Sequence, residues 1–293
     1  MGIGTSYVAT AQIVVAADLN QWARKMHESI LMVGLTDSSA SAAISDFSTL
    51  PAPPAANSAS GFKVYEFNDA LQASLPIYLK IEWGTGVTAA TPGIWLSVGT
   101  TFDGVSNVTG SLPFMSRKQL TNAATTTNAC QFFTGGSGSY LSATGPTRNL
   151  ETQADGPNTF TFSVERFKNA DGTDNAGGAV IAYSTTRTTF AFLTMPATGS
   201  IPTAETIWPA MIGSVDPNTQ DGRGIVSPLY PIPALSQNPM LGFLVSQDSN
   251  FRDLDIIPIE VYPGVRATYV KLTPNCAGTV AGVSTAIALI RWT

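Results

Sequence analysis

The stretch Ile77-Tyr78-Leu79-Lys80-Ile81-Glu82-Trp83, closed by Gly84-Thr85-Gly86, decides the fold class of this chain. Ile77, Leu79, Ile81 and Trp83 alternate with Tyr78, Lys80 and Glu82. Side chains on a strand point to opposite faces in turn, so this period of two describes a half-buried strand. After Pro92-Gly93 the alternation returns at Ile94, Leu96 and Val98, and again at Phe160, Phe162 and Val164 against Thr161, Ser163 and Glu165. Further strand-sized apolar segments lie at 179–183, 189–194, 241–245, 256–261, 268–272 and 286–292. Short strands bounded by Gly, Pro and Asn clusters predict a mainly β fold, an antiparallel β-sandwich or open barrel. One N-terminal amphipathic helix and long irregular arms complete the expectation.

The helix is expected over residues 18–33. Leu19, Trp22, Met26, Ile30 and Val33 recur at spacings of three and four, which places them on one face. Asp18 is the expected N-cap and Gly34 the stop. Trp22, Met26 and Ile30 are candidate contact residues, because their face must dock on the β core or on a neighbouring subunit. Residues 36–61 turn to Ser, Ala and Pro and end in Pro51-Ala52-Pro53-Pro54-Ala55-Ala56-Asn57. Proline donates no ladder hydrogen bond and fixes φ, so the stretch reads as an extended arm. The organisation expected is a helix and arm over 1–61 and a β-rich body over 62–293, the body dividing into two subdomains near 140–158. A chain lacking 1–61 should then keep a folded body and lose assembly. Polar, Gly-rich loops are expected at 121–128, 134–139, 169–178 and 216–224, and a second irregular segment around Pro228, Pro231, Pro233 and Pro239.

Composition narrows the function classes. The 293 residues are 44% hydrophobic and 12% charged, with formal net charge −5. Disorder needs low hydrophobicity and high charge, so a folded core is expected. No window gathers a basic cluster, and gripping phosphates needs several clustered cations; no direct nucleic-acid binding is expected. No run of apolar residues is long enough to span a bilayer, so no membrane insertion is expected. The apolar N-terminal patches lack a positive leader, which disfavours a secretory signal. Cys130 and Cys276 show no metal-type spacing; paired or free thiols both remain open. A surface so poor in charge suits permanent subunit contacts, since charge is depleted at interface cores.

Reactive side chains are scarce. His27 is the sole histidine and flanks the apolar stripe of the helix, the position of a packed structural residue. A zinc site of His and Cys is nearly excluded, and no metal or cofactor is expected. Asp171-Gly172-Thr173-Asp174-Asn175 resembles an oxygen-rich calcium loop but lacks the Gly and Glu of an EF-hand, so it reads as a turn. Gly135-Gly136-Ser137-Gly138 has no Lys-Ser/Thr tail and reads as a flexible loop. Paired carboxylates could make a glycosidase, but Glu82 and Glu165 occupy the polar positions of alternating strands and are expected to face water. Trp83 is in phase with the core. Trp95 is out of phase with Ile94 and Leu96, which makes it a candidate contact residue for a sugar or a subunit; Tyr140 is the other aromatic candidate for a sugar. No catalytic residue is assigned.

The run from Phe67-Asn68-Asp69-Ala70-Leu71-Gln72 through the strand at 77–83 to Gly86 resembles a segment of structural proteins of tailed bacteriophages. There a polar turn leads into an amphipathic strand and a Gly-rich corner, followed by a segment like Pro92-Gly93-Ile94-Trp95-Leu96-Ser97-Val98-Gly99-Thr100. The resemblance covers residues 60–100 and includes no catalytic signature. It implies a virion component, of tail or baseplate, assembled in the host cytoplasm, with partners in copies of itself and other virion proteins. A carbohydrate-binding β-sandwich of a phage adhesin and a capsid decoration protein are the alternatives, and a glycan-degrading enzyme is a third.

Overall fold

The computed structural model describes residues 2–10, 15–51, 55–86, 92–110, 115–121, 129–149, 160–169, 171–184, 187–194, 226–229, 240–246, 255–271 and 287–293. In chain order the elements begin with strand β1 (Ile3–Thr10), helix α1 (Ala16–Met32), β2 (Thr36–Asp37), a 3-10 turn (Phe47–Thr49), β3 (Ser58–Glu66), β4 (Tyr78–Thr85) and β5 (Pro92–Gly99). There follow β6 (Thr101–Phe102), β7 (Val108–Thr109), β8 (Met115–Thr121), β9 (Ala129–Ser137), β10 (Tyr140–Asn149), β11 (Phe160–Lys168), β12 (Asp174–Ser184) and β13 (Arg187–Thr194). The C-terminal strands are β14 (Val226–Leu229), β15 (Met240–Ser246), β16 (Ile256–Tyr262), β17 (Val265–Lys271) and β18 (Ile287–Arg291). The fold is mainly β, as expected. Among the described residues every strand pairing is antiparallel, and no sheet closes into a barrel.

A six-stranded sheet of order β1-β9-β10-β11-β12-β13 forms the central layer. Alternation along β11 sends Phe160, Phe162 and Val164 to one face, where they share a continuous core with Leu79, Ile81, Trp83, Ile94, Leu96 and Val98. Those belong to the second sheet, β2-β3-β4-β5-β8. The stretch that decided the fold class is thus its central strand, with Trp83 fully buried as its phase required. The opposite face of the central sheet carries Ser142, Thr144, Thr161, Ser163 and Glu165, all buried. It meets the third sheet, β14-β15-β18-β17-β16, which has its own small apolar cluster of Leu244, Ala267 and Tyr269.

Helix α1 corrects the expected division of the chain. Leu19, Trp22, Met26 and Ile30 join the same core as Trp83 and Phe132, so the helix completes this subunit's own interior. The Ser/Ala/Pro segment after it is no free arm. It places Ile44, Phe47 and Leu50 in that core, and its Thr36–Asp37 pairs with β3. Three isolated apolar anchors in a Pro-rich stretch make no periodic signal, which is why the segment read as detached. Asp18 is the third residue of the helix rather than its cap; its carboxylate accepts the Val15 N–H at 3.0 Å, stabilising the first turn. Gly34 follows the helix with φ +105, the left-handed stop that glycine adopts without strain.

The run Gly135-Gly136-Ser137 is strand, not flexible loop. A Cβ on Gly135 would lie 2.4 Å from the Arg291 carbonyl, and one on Gly136 would lie 2.6 Å from the Val33 side chain. The glycines let the C-terminal strand and the end of the helix press on the two faces of β9. Asp171-Gly172-Thr173 is the turn expected: Asp171 accepts from the Thr173 N–H at 3.0 Å, and Gly172 has φ +83. Of the loops expected at 121–128 and 216–224, all but Thr121, the last residue of β8, lie outside the described residues, as do residues 230–239 and Cys276.

Candidate functional site

Each candidate contact residue named from the sequence, Trp22, Met26, Ile30 and Trp95, is committed to internal packing. Trp22, Met26 and Ile30 are buried, and the Trp83 indole N–H points at the Met26 sulfur 3.4 Å away. They contact the chain's own core rather than a neighbour. Trp95 does lie on the face opposite Ile94 and Leu96, but it is only 3% exposed. The Arg117 guanidinium covers its ring at 4.5 Å, and Arg117 in turn pairs with Glu82 at 2.8 Å. Tyr140 is capped in the same way by Arg291 at 4.3 Å. His27 shares a 2.9 Å hydrogen bond with the Tyr65 hydroxyl and packs at a tilt against the Phe47 ring. Burial, with Lys63 nearby, lowers its pKa.

The two carboxylates expected to face water are both buried. Glu82 lies under Arg117 and near Lys80. Glu165 is the more consequential. Its carboxylate leaves β11 on the face covered by the third sheet and accepts two backbone N–H groups of β15, Leu241 at 2.6 Å and Gly242 at 2.5 Å. Burial pushes its pKa up to about 7, against the lowering effect of Arg291, the two N–H groups and Lys168. Alternation alone made this position polar, hence solvated; a sheet laid over the polar face makes it interior.

Around Glu165 lies a cavity lined by Tyr140, Arg166, Lys168, Leu241 and Arg291, with about 10 Å³ open to a water molecule, room for one. A sugar ring does not fit it. Arg166 is itself buried and forms a 2.7 Å ion pair with Asp69, which ties the 67–77 loop to the central sheet. Lys168 reaches Asp174 and Ser139. Beside the cavity, Ser142 and Ser163 share a 2.8 Å hydrogen bond, and Thr144 and Thr161 another. This polar seam was missed in the sequence. The available signal was Glu165-Arg166-Phe167-Lys168, three charges in four residues of a sparsely charged chain.

Chemically the seam can hold a proton and bind two strands together. Among the described residues no group of three or more His, Cys, Asp or Glu is placed to hold a metal ion, and no helix is long and apolar enough to cross a membrane. No protein-family model, curated protein or solved structure matches the chain.

Proposed function

We propose that the chain is a structural subunit of a bacteriophage virion, in the tail or baseplate, that acts through contacts with its own copies and with other virion proteins. The observation that carries this reading is the use made of its scarce reactive and aromatic side chains. Trp22, Trp83, Trp95, Tyr140, His27, Glu82 and Glu165 all serve packing or internal hydrogen bonding. The stretch that resembles phage structural proteins forms β4 and β5 at the centre of the second sheet. Immunogold labelling of particles from the phage that encodes the chain tests the reading. Label on the tail or baseplate supports it; label on the head would move the protein to capsid decoration. Recovery of the chain only in the particle-free lysate would sink it.

A carbohydrate-binding module is the second reading. Sugar stacking needs a bare ring face, and guanidinium groups cover both Trp95 and Tyr140. Glycan-array binding that is lost on Trp95→Ala would revive it.

A further inference from the structure

The C-terminal sheet β14–β18 touches the central sheet differently from the way the N-terminal elements do. Helix α1 and β2–β5 merge with the central sheet in one apolar core. The C-terminal sheet has a separate cluster, in which Ile257, Ile259 and Val261 pack on Leu244, Ala267 and Tyr269. Across its contact with the central sheet lie hydroxyls and charges. Ser142 donates to the Gly242 carbonyl at 3.3 Å, and Glu165 accepts from Leu241 and Gly242. The approach is close because Gly242 has no side chain: a Cβ there would lie 2.0 Å from Ser163 Oγ and 2.9 Å from Glu165 Oε2. A second point of contact sets Trp292 edge-on to Phe133 and over Gly4. Apart from the Trp292–Phe133 and Arg291–Tyr140 contacts this junction is a polar seam, and separating it exposes less apolar surface than opening the shared core, so it opens more readily.

We propose that Glu165 is a proton-operated latch: the C-terminal sheet is a unit held on the central sheet through this carboxylate, and its docking tightens when the carboxyl takes up a proton and slackens when it ionises. The reason is desolvation. In the open form Glu165 is hydrated; in the closed form it loses that water, which disfavours the charged state. Among the described residues the charged and titratable groups facing it are the following. Arg291 from β18 and Lys168 from β11 favour the ionised form, as do the two N–H groups of β15, while Tyr140, Tyr262 and Tyr269 present neutral phenols. Arg166 is engaged with Asp69, and Lys168 with Asp174. Burial outweighs them, and the closed-state pKa of about 7 stands above the ordinary 4.5. A group raised in this way contributes most below its open-state value, and the contribution is lost as pH rises through about 7.

Hydrogen–deuterium exchange of the full chain at pH 5 and pH 8, with each peptide referenced to its own unfolded rate, tests the latch. Protection of 240–246 and 287–291 should be at least about tenfold higher at pH 5, with a smaller change in 160–168. Glu165→Gln should erase the difference. Equal protection of 240–246 at both pH values overturns the proposal, as does a pH difference that persists in Glu165→Gln. Loss of protection in 160–168 in step with 240–246 overturns it too, since the sheets would then open as one. The wild-type comparison decides the matter by itself if the variant does not fold.

Discussion

Asp69 and Arg166 show how one buried pair fixes a loop that has few apolar anchors of its own. Their 2.7 Å contact is almost fully withdrawn from water. Both charges have lost their hydration, so removing one leaves the other uncompensated in the interior. Asp69→Ala is expected to destabilise the fold by about 3–5 kcal/mol, read as a lower urea midpoint. A change below about 1 kcal/mol would mean that water reaches Arg166 once the carboxylate is gone. At His27 the imidazole joins Tyr65, whose hydroxyl is buried beneath the helix. Its lowered pKa works opposite to that of Glu165: its contribution is present above the ordinary histidine value and is lost as pH falls through that range. His27→Ala is expected to cost about 1–3 kcal/mol in stability, because it strands that hydroxyl.

Among the elements, α1 shows most clearly how an expected appendage becomes interior. Its apolar stripe was visible from spacing, but a stripe does not name its partner. In the structure the partner is β1, β4 and β9 of the same chain, with Val33 pressed on Gly136. Deleting 1–61 would remove β1 from the central sheet, and with it Leu19, Trp22, Met26, Ile30, Ile44, Phe47 and Leu50 from the core. The truncated chain is therefore expected to be insoluble, or to lack a cooperative thermal transition. A folded, cooperatively melting 62–293 fragment would contradict the shared core. The strands carry their own edge controls. Pro228 and Pro258 sit in β14 and β16, the outer strands of the C-terminal sheet among the described residues, and each lacks a backbone N–H to donate to a ladder.

For the whole molecule, the layers leave large apolar side chains exposed on several elements, from β1 and the helix to Val105 and to Ile256 and Val265 of the C-terminal sheet. Ile3 and Val8 of β1, Val15 at the start of the helix, and Leu31 and Met32 at its end are all exposed, Met32 by 64%. Together with a surface poor in charge, they fit a subunit that associates with others. Size-exclusion chromatography with light scattering is expected to return a multiple of 30.7 kDa for the full chain. A stable monomer at micromolar concentration that joins no virion protein would count against the proposed assembly role.

By itself the sequence determined what depends on local periodicity and backbone chemistry. The alternation at 77–83, 94–98 and 160–164 sets which residues of β4, β5 and β11 enter the core, because a strand has two faces and apolar area seeks one of them. The helical spacing from Leu19 to Ile30 and the turn at Asp171-Gly172 were legible for the same reason. What only the tertiary structure decided is what lies against each face. Glu165 occupies a polar position in either case; whether that position meets water or a second sheet depends on β15, 76 residues away along the chain. Gly135 and Gly136 form a strand because other elements close over them, and Ile44, Phe47 and Leu50 anchor an aperiodic segment by reaching a core built from distant strands. Burial is a property of long-range contacts, and a short-range pattern records a preference for a face without recording what covers it.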